Sequence, residues 1–210
     1  MAGGDSKPEA TFELEAAALR LHGGPIAGID EAGRGPWAGP VVAAAVVLDP
    51  GNIPPGIADS KALDAAARER AFDAIVAAAD VGVGIADVER IDCINILNAT
   101  LWAMRAAVLK LTAPPRLALV DGNRLPRLAC EARAVVRGDA ACLLIAAASI
   151  VAKVTRDRIM IALGKAHPGY GFERHKGYGT PEHQAAIERF GVTPHHRRSF
   201  RPIQAALGMR

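Results

Sequence analysis

The chain has few aromatic residues and few cysteines, and both shortages limit what it can be. Aromatic side chains make up 4% of its 210 residues, so a hydrophobic core must be built mainly from alanine, valine, isoleucine and leucine. The three cysteines, Cys93, Cys130 and Cys142, are odd in number, and no two have C-x-x-C spacing. This pattern argues against a disulfide framework or a structural zinc site and is typical of a reducing compartment.

The chain also lacks a long apolar run and a strong excess of charge of one sign. Residues 140–152 are apolar but too few to span a bilayer, and residues 1–15 carry acids without the apolar core of a signal peptide. We therefore expect a cytoplasmic protein with no membrane contact. The formal net charge of +3 permits binding to nucleic acid without requiring it.

Residues 28–40 concentrate groups that can bind a ligand. The sequence GIDEAGRGPWAGP places Asp30 and Glu31 after a short apolar run and before glycines that surround Arg34. We predict two antiparallel strands joined by a glycine-rich loop, with both acids where the first strand ends. Because neighbouring side chains of a strand point to opposite faces, the acids can share one site only if the strand breaks between or just after them. A ligand site and a hairpin with solvated acids at its tip explain this segment equally well.

Apolar periodicity and turn residues predict the other elements. Strands are expected at residues 25–29, 41–48, 81–85, 117–120 and 134–136, the third weakened by two glycines. Helices are expected at residues 11–21, 65–79, 94–111, 140–163 and 181–190, followed by a basic tail. Asp64 would cap the second helix, and Asp87 would cap a short turn before the third. This order indicates an α/β sandwich with a five-stranded mixed sheet flanked by helices.

Carboxylates follow three of the predicted strands. Asp30 and Glu31 follow the first, Asp121 the fourth, and Asp139 the fifth, at the entrance to a long helix. Since ligands bind beyond the carboxyl ends of strands in α/β sheets, we expect the four acids to converge. Clustered carboxylates stay ionised around hard divalent cations, so we predict a Mg²⁺ or Mn²⁺ site that hydrolyses a phosphodiester. Taken singly, Asp139 is better explained as a helix cap and Asp121 as a turn residue.

The long helix adds a polar stripe that runs back from these acids. At about 100° per residue, one face carries Asp139, Cys142, Ser149, Lys153 and Arg156. We predict that Lys153 and Arg156 hold phosphates; the alternative is a solvated face on which Asp157 pairs with one of them. Lys61, which follows Ser60, is a second candidate phosphate contact.

A series of short motifs spans most of the chain. They are GIDEAGRGP at 28–36, DSK at 59–61, INILNAT at 94–100, VDGN at 120–123, GDA at 138–140, IAAASIVAKVTRD at 145–157, HKGYGT at 175–180 and HRRSF at 196–200. Together, in this order, they resemble the type 2 ribonucleases H, specifically bacterial ribonuclease HII. Each motif is weak alone, but their coverage of residues 25–202 makes the resemblance specific.

The resemblance implies a ribonuclease H-like fold with three parts. Residues 1–20 would be a flexible or helical N-terminal segment, residues 21–165 the catalytic domain, and residues 166–210 a helical, basic extension that completes the substrate site. It implies hydrolysis of the RNA strand of RNA–DNA hybrids and incision 5′ of single ribonucleotides embedded in duplex DNA, in replication and repair. The expected enzyme is a monomer that uses Mg²⁺ or Mn²⁺ and leaves 5′-phosphate and 3′-hydroxyl ends.

By the same resemblance, Asp30, Glu31, Asp121 and Asp139 would be the metal-binding catalytic acids. Candidate substrate contacts, from the motifs and the polar stripe, are Gly33, Arg34, Gly35, Ser60, Lys61, Ser149, Lys153, Arg156, Lys176, Tyr178 and Arg197. The backbone of residues 33–35 would read the 2′-hydroxyl, which distinguishes RNA from DNA.

For Tyr178 and for the C-terminal basic residues, a purely structural role is the alternative to substrate contact. By the resemblance Tyr178 would pack at the sugar of the RNA–DNA junction, although without it a loop aromatic packed on the core is the better explanation. Basic residues of the C-terminal part would follow backbone phosphates or form a basic terminus: His175, Lys176, Arg197, Arg198 and Arg201.

The chain departs from the family at three positions. Ala141 and Cys142 stand where the family usually has a lysine and a serine, so a hydroxyl contact near the site would be missing or replaced by a thiol. Trp37 stands where a smaller aliphatic residue is usual, and we expect it to pack under the glycine-rich loop.

Other functions fit the sequence less well. A dinucleotide-dependent oxidoreductase needs a G-x-G-x-x-G that opens a helix, but Pro36 and Pro40 occupy that stretch. A nucleic-acid-binding module without catalysis would not need acids at three strand ends. The alternative to the endonuclease is a ribonuclease H-like nucleic-acid-binding protein with weakened or altered catalysis. An integrase-like enzyme on the same fold would not need the Gly-Arg-Gly loop or Tyr178.

Overall fold

The computed structural model describes residues 11–57 and 63–209, so the motif at 59–61 and residues 1–10 lie outside the described residues. The helices are α1 (Glu13–His22), α2 (Ala65–Ala78), α3 (Val88–Val108), α4 (Leu143–Ala166), α5 (Phe172–His175), α6 (Pro181–Phe190) and α7 (Arg201–Ala206). The strands are β1 (Ile26–Ala32), β2 (Val41–Val47), β3 (Asp80–Ala86), β4 (Leu117–Asp121) and β5 (Glu131–Val135). A short 3₁₀ turn, Gly138–Ala140, precedes α4.

The five strands form one mixed sheet in the order β3-β2-β1-β4-β5. Strand β2 pairs antiparallel with both β1 and β3, whereas β4 pairs parallel with both β1 and β5. The central strand β1 pairs with β2 up to Ala32, but with β4 only up to the pair Ile29 and Val120. The predicted fold class is confirmed, and the carboxyl ends of β1 and β4 meet at one edge of the sheet.

Side-chain caps fix where two helices begin, as the sequence predicts. Asp64 Oδ1 accepts a 2.7 Å hydrogen bond from the backbone N–H of Ala67 at the start of α2. Asp87 Oδ1 accepts one of 2.8 Å from the N–H of Arg90 at the start of α3. Each cap satisfies a backbone donor that has no partner within its own helix.

Helix α3 differs from its prediction, because one interrupted helix replaces the expected turn and separate helix. Asn95 interrupts it with a φ of 65°, and its side-chain oxygen accepts a 3.1 Å hydrogen bond from the N–H of Asn98. The first part of the helix carries Asp92, whose carboxylate accepts from the N–H groups of Arg198 and Ser199 at 2.9 Å. The part of α3 before the break therefore bonds the C-terminal part of the chain.

Helices cover both faces of the sheet. Helices α1, α2 and α4 pack on one face, where Ile26, Val46 and Leu119 meet side chains such as Ile145. Helix α3 covers the other face, mainly through alanines. The glycines of β3 allow this close approach, since a Cβ on Gly84 would lie 2.0 Å from the carbonyl oxygen of Ala103. They do not shorten β3, which pairs with β2 along its whole length.

The C-terminal part builds a smaller core of its own. Phe172 is its centre and packs with Ala38, Met160, Tyr170 and Ala186. Helices α5 and α7 were not predicted, and α7 occupies the stretch expected to be a basic tail. None of the helices in the described part of the chain is both long and apolar enough to cross a bilayer.

Candidate active site

A cleft of about 340 Å³ opens at the carboxyl ends of β1 and β4. It is lined by Asp30, Glu31, Ala32, Gly33, Arg68, Asp121, Ser149, Lys153, Arg156 and Tyr178. A larger cleft, of about 670 Å³, lies at the end of α3 and is lined by apolar side chains, Arg105 and Arg127, with no carboxylate. The smaller cleft therefore holds the chemistry that the sequence predicts.

Strand pairing places two of the acids side by side. Ile29 pairs with Val120 across the parallel strands, so Asp30 and Asp121 are the next residues on neighbouring strands. Asp30 is buried, and it accepts a 2.7 Å hydrogen bond from the N–H of Glu31. Burial raises the pKa of Asp30 well above its ordinary value, the charges of Glu31 and Asp121 raise it further, and a hydrogen bond with the Ser149 side chain opposes the rise.

Glu31 faces the same cleft as Asp30 although β1 does not break between them. Strand β1 continues to Ala32, so the strand extends past both acids rather than ending before them. Because β4 ends at Asp121, β1 has no parallel partner beyond Ile29, and β1 itself ends at Ala32, one residue after Glu31. Burial also raises the pKa of Glu31, and an ion pair with Arg34 at 3.3 Å limits that rise.

Asp139 lies in the 3₁₀ turn next to Asp121 but does not line the cleft. Its neighbour Gly138 donates a 2.7 Å backbone hydrogen bond to Asp121 Oδ1, which ties the turn to the end of β4. Asp139 is 7% exposed. Across residues 11–57 and 63–209, no group of three or more histidine, cysteine, aspartate or glutamate side chains is arranged closely enough to hold a metal ion.

The donor types nevertheless fit a hard divalent cation. Three carboxylates line one cleft, and the raised pKa values of Asp30 and Glu31 show that their negative charges are poorly compensated by the protein. Oxygen donors are those that Mg²⁺ and Mn²⁺ prefer. A bound cation would offset the repulsion that the fold imposes on these side chains.

The polar stripe of α4 reaches the cleft through Ser149, Lys153 and Arg156. Lys153 Nζ donates a 2.8 Å hydrogen bond to Asp157 Oδ1, so the pairing weighed from the sequence exists. Sequence reasoning missed Arg68, which reaches the cleft from α2 and donates a 2.6 Å hydrogen bond to the carbonyl of Leu63. No motif marks Arg68, because it is one of two arginines on a surface helix.

Cys142 does not belong to the polar stripe. It precedes α4 with extended backbone angles, is fully buried and donates a 3.1 Å hydrogen bond to Glu15 Oε1 of α1. The same oxygen accepts a 2.9 Å hydrogen bond from the N–H of Leu144. The thiol that replaces the family's usual serine thus faces a buried glutamate and not the cleft, and Ala141 adds no polar side chain.

The glycine loop, residues 33–40, runs from β1 to β2 around the side of the cleft. Arg197, which we expected to contact phosphate, is 0% exposed and donates to backbone carbonyls of this loop. Arg156 is buried as well and bonds the carbonyls of Ala38 and Pro40. The expectation of direct phosphate contact is wrong for Arg197, because its charged group lies beneath the loop.

Tyr178 borders the cleft next to the glycine loop and is 48% exposed. A Cβ on Gly35 would lie 3.5 Å from the Tyr178 ring, so the ring and the loop are neighbours. Behind them, the Trp37 ring packs on Gly179 and lies 5.6 Å from the His183 ring. Trp37 therefore packs between the glycine loop and the segment that carries Tyr178, close to the position we expected.

The remaining predicted contacts divide between described and undescribed residues. Lys176 Nζ donates to the carbonyl of Glu173, so this lysine closes its own turn. Arg34 is half exposed and pairs with Glu31 at the edge of the cleft. Ser60 and Lys61 lie outside the described residues.

Comparison with protein-family models matches residues 27–203 to ribonuclease HII. The chain belongs to the ribonuclease HII family. It is 58% identical over 195 residues to the ribonuclease HII of Azorhizobium caulinodans, covering 93% of this chain and 75% of the relative. It is 58% identical over 194 residues to the ribonuclease HII of Rhodospirillum rubrum, covering 90% of this chain and 89% of the relative.

A solved structure supports the same assignment at lower identity. The crystal structure of ribonuclease H2 from Pyrococcus horikoshii superposes with a TM-score of 0.72 and 28% identity, covering 86% of this chain and 96% of that one. The resemblance seen in the sequence and the ribonuclease H-like fold are thereby confirmed. This member of the ribonuclease HII family is a hydrolase of the ribonuclease H class.

Proposed function

We propose that the protein hydrolyses the RNA strand of RNA–DNA hybrids and incises duplex DNA on the 5′ side of single embedded ribonucleotides. The observation that carries this proposal is the composition of one cleft. Three carboxylates, Asp30, Glu31 and Asp121, share it with Lys153 and with a glycine loop. Carboxylates suit the hydrolysis of a phosphodiester, whereas glycines permit close approach of a nucleotide sugar to the backbone.

Asp30, Glu31, Asp121 and Asp139 are the residues that would hold divalent cations. Bound Mg²⁺ or Mn²⁺ would supply an activated water and stabilise the leaving 3′-oxygen. The protein itself fixes the acids: strand pairing sets Asp30 beside Asp121, and the N–H of Gly138 holds the Asp121 carboxylate. Attack by water in place of the ribose 2′-hydroxyl would leave 5′-phosphate and 3′-hydroxyl ends.

The rest of the cleft supports recognition of a ribonucleotide within a duplex. Lys153 and Arg68 line the cleft and provide positive charge for the backbone phosphates of the scissile strand. The loop at residues 33–35 can bring backbone groups to a 2′-hydroxyl, which DNA lacks. Tyr178, beside Gly35, presents an exposed ring to the neighbouring sugar. We further propose that the protein acts as a monomer, with residues 166–210 completing the substrate site.

The test uses a DNA duplex with one internal ribonucleotide, incubated with the protein and Mg²⁺. An all-DNA duplex and a reaction with EDTA serve as controls, and both ends of every product are mapped. We expect a nick 5′ of the ribonucleotide, a 3′-hydroxyl end and intact controls. Binding without cleavage in either Mg²⁺ or Mn²⁺ would instead favour a nucleic-acid-binding protein with lost or altered catalysis.

A further inference from the structure

Arg197 is buried beneath the glycine loop and bonds it at four points. Its guanidinium donates to the carbonyls of Gly33 at 2.5 Å, Arg34 at 2.8 Å, Gly39 at 3.0 Å and Pro40 at 3.2 Å. In the sequence, Arg197 is separated from these four residues by 157 to 164 positions. The C-terminal part of the protein therefore holds both ends of the loop with one planar side chain.

A second buried guanidinium supports the same loop from α4. Arg156 donates to the carbonyl of Pro40 at 3.0 Å and to that of Ala38 at 3.2 Å. A Cβ on Gly33 would lie 2.0 Å from Arg156 Nε, and Gly33 has a φ of +97°, a region that other residues rarely adopt. Arg156 and the glycine therefore fix the loop's first residue in both position and conformation.

Neither guanidinium forms an ion pair with a carboxylate among the described residues. A buried charge is costly unless polar groups surround it, and here neutral carbonyl oxygens do so. Burial, followed by the nearby charge of Arg156, lowers the pKa of Arg197 to about 9, so Arg197 stays charged at neutral pH. The loop's carbonyls are thus drawn inward by two positive charges that stay beneath it.

Because these carbonyls point inward, the backbone N–H groups that follow them point outward. In a planar trans peptide, the C=O of one residue and the N–H of the next point in opposite directions. Because the carbonyls of Gly33 and Arg34 point at Arg197, the N–H groups of Arg34 and Gly35 point away from it. Those two N–H groups donate to no protein group within the described chain. They lie beside Tyr178, whose ring borders Gly35.

We propose that Arg197 is a positioning residue that sets the preference for ribonucleotides over deoxyribonucleotides. It holds the carbonyls of Gly33 and Arg34 inward, so that the N–H groups of Arg34 and Gly35 are aimed at the 2′-hydroxyl of a bound ribonucleotide. This inference rests on the proposed function and assigns a residue that does not itself touch the substrate.

The experiment compares binding of two duplexes in EDTA, where no cleavage occurs. One carries a single internal ribonucleotide and the other is all DNA of the same sequence. The measured quantity is the ratio of their dissociation constants, for the wild-type protein, Arg197→Met and Arg197→Lys. We expect Arg197→Met to lower the preference about tenfold, since the loss of oriented donors removes roughly 1.4 kcal/mol of discrimination. Lysine cannot bond four carbonyls at once, so Arg197→Lys should lose part of the preference.

Arg198→Met provides the matched control. Arg198 is the exposed neighbour of Arg197, so its loss should weaken binding of both duplexes equally and leave the ratio unchanged. A second readout is rescue of Arg197→Ala by guanidinium ion, with an equal concentration of sodium chloride as the blank. Guanidinium should restore the ratio, which a general loss of packing would not allow.

The outcomes separate this inference from the proposed function. If the wild-type protein shows no preference and no cleavage, the proposed function fails. If the wild type prefers the ribonucleotide duplex and folded Arg197→Met keeps the full preference, or weakens both duplexes equally, only the role of Arg197 fails. Should Arg197→Met not fold, the same criteria apply to Arg197→Lys.

Discussion

The acidic side and the loop side of the cleft are held in place by different parts of the chain. Pairing of the adjacent parallel strands β1 and β4 puts Asp30 and Asp121 next to each other. The glycine loop, in contrast, is held by Arg156 from α4 and by Arg197 from the segment before α7. The first arrangement follows from sheet register, and the second from side chains remote in sequence.

The two sides also differ in how their charges are compensated. Asp30 is surrounded by other carboxylates, and the pKa values of Asp30 and Glu31 are raised because burial and repulsion disfavour their ionised forms. The Arg197 guanidinium donates hydrogen bonds to four neutral carbonyl oxygens, which accept them without adding negative charge. Acids whose charges are incompletely compensated are suited to binding cations, whereas an arginine bonded to four carbonyls is suited to fixing geometry.

Substitution of the acids should give the largest loss of cleavage and should leave the loop side of the cleft unchanged. Asp30→Asn or Asp121→Asn keeps the side-chain shape but removes a negative charge from the proposed metal site. We expect cleavage of a ribonucleotide-containing duplex to fall about a thousand-fold, or about 4 kcal/mol in transition-state stabilisation. Substrate binding should change little, because the loop and the cationic side chains remain.

Steady-state cleavage and equilibrium binding measured on the same preparations would check this. Asp73→Asn, on the exposed surface of α2, is the control and should cleave normally. Near-normal turnover by Asp30→Asn would contradict the assignment of the acids.

Acidic pH should lower the stability of the C-terminal part that holds the glycine loop, because this part contains buried histidines. His196 is fully buried; its Nδ1 accepts from the N–H of Thr193 at 2.9 Å, and its Nε2 lies 3.0 Å from His183 Nε2. Burial, then the charge of His183, lowers the pKa of His196 from 6.5 to about 4. The unfolded chain therefore binds a proton more readily between these values. Stability should fall by up to about 3 kcal/mol as pH drops through this window.

Urea unfolding of the wild type and of His196→Asn, from neutral pH to about pH 4, measures the contribution of His196 together with that of His183, which contacts it and whose pKa burial also lowers. The raised pKa values of Asp30 and Glu31 act in the opposite direction but are common to both proteins, so they cancel in the difference. The variant should lose less stability than the wild type on acidification. Parallel curves for the two proteins would show that His196 does not titrate in this way.

Three of the four acids named from the sequence, Asp30, Glu31 and Asp121, line one cleft, because the signals that mark them are local. An apolar run followed by Asp30, and another followed by Asp121, mark strand ends without any knowledge of distant contacts. The interrupted pairing of β1 was not predictable in this way, because it depends on where the partner β4 stops. Glu31 reaches the cleft close to the end of its own strand at Ala32, which is the second of the two arrangements that the sequence allowed.

The loop side was predicted less well, because its contacts link remote positions. An arginine in a basic stretch is usually exposed, so Arg197 was assigned to phosphate, and nothing local reveals the loop it bonds. Cys142 was misplaced for a different reason. Helical spacing assumed that α4 began before it, whereas α4 begins at Leu143 and Cys142 has the extended angles of a cap.

Tyr178 offers a way to change the loop side without disturbing the loop. Its exposed ring can be removed by Tyr178→Ala, while Trp37 and the backbone bonds behind it remain. We expect incision at single ribonucleotides to fall about fivefold to 150-fold, since stacking is worth roughly 1–3 kcal/mol. Cleavage of a continuous RNA–DNA hybrid should fall less, because its junctions are few.

The comparison requires rates on both substrates, with Tyr178→Phe as the control that keeps the ring. Equal losses on both substrates from Tyr178→Ala would indicate that Tyr178 is structural. A large loss from Tyr178→Phe would show that the hydroxyl, not the ring, is the important group.

The smallest effect should come from Glu15, which supports the acidic side from behind. Its carboxylate is fully buried, and its Oε1 accepts hydrogen bonds from Cys142 Sγ and from the N–H of Leu144, at the start of the helix that follows Asp139. Glu15→Ala leaves that N–H without an acceptor and should lower stability by about 1–2 kcal/mol. For a chain of this length, the melting temperature should drop by roughly 3–6 °C.

Thermal unfolding of Glu15→Ala beside Glu13→Ala, an exposed change in the same helix, would measure this contribution. Cleavage at a temperature where both variants are folded should stay within about threefold of wild type, because the hydrogen bonds of Glu15 Oε1 are to Cys142 and Leu144 at the start of α4. A far larger loss of cleavage at unchanged stability would mean that α1 controls the position of Asp139. The acidic side would then depend on a remote segment, as the loop side does.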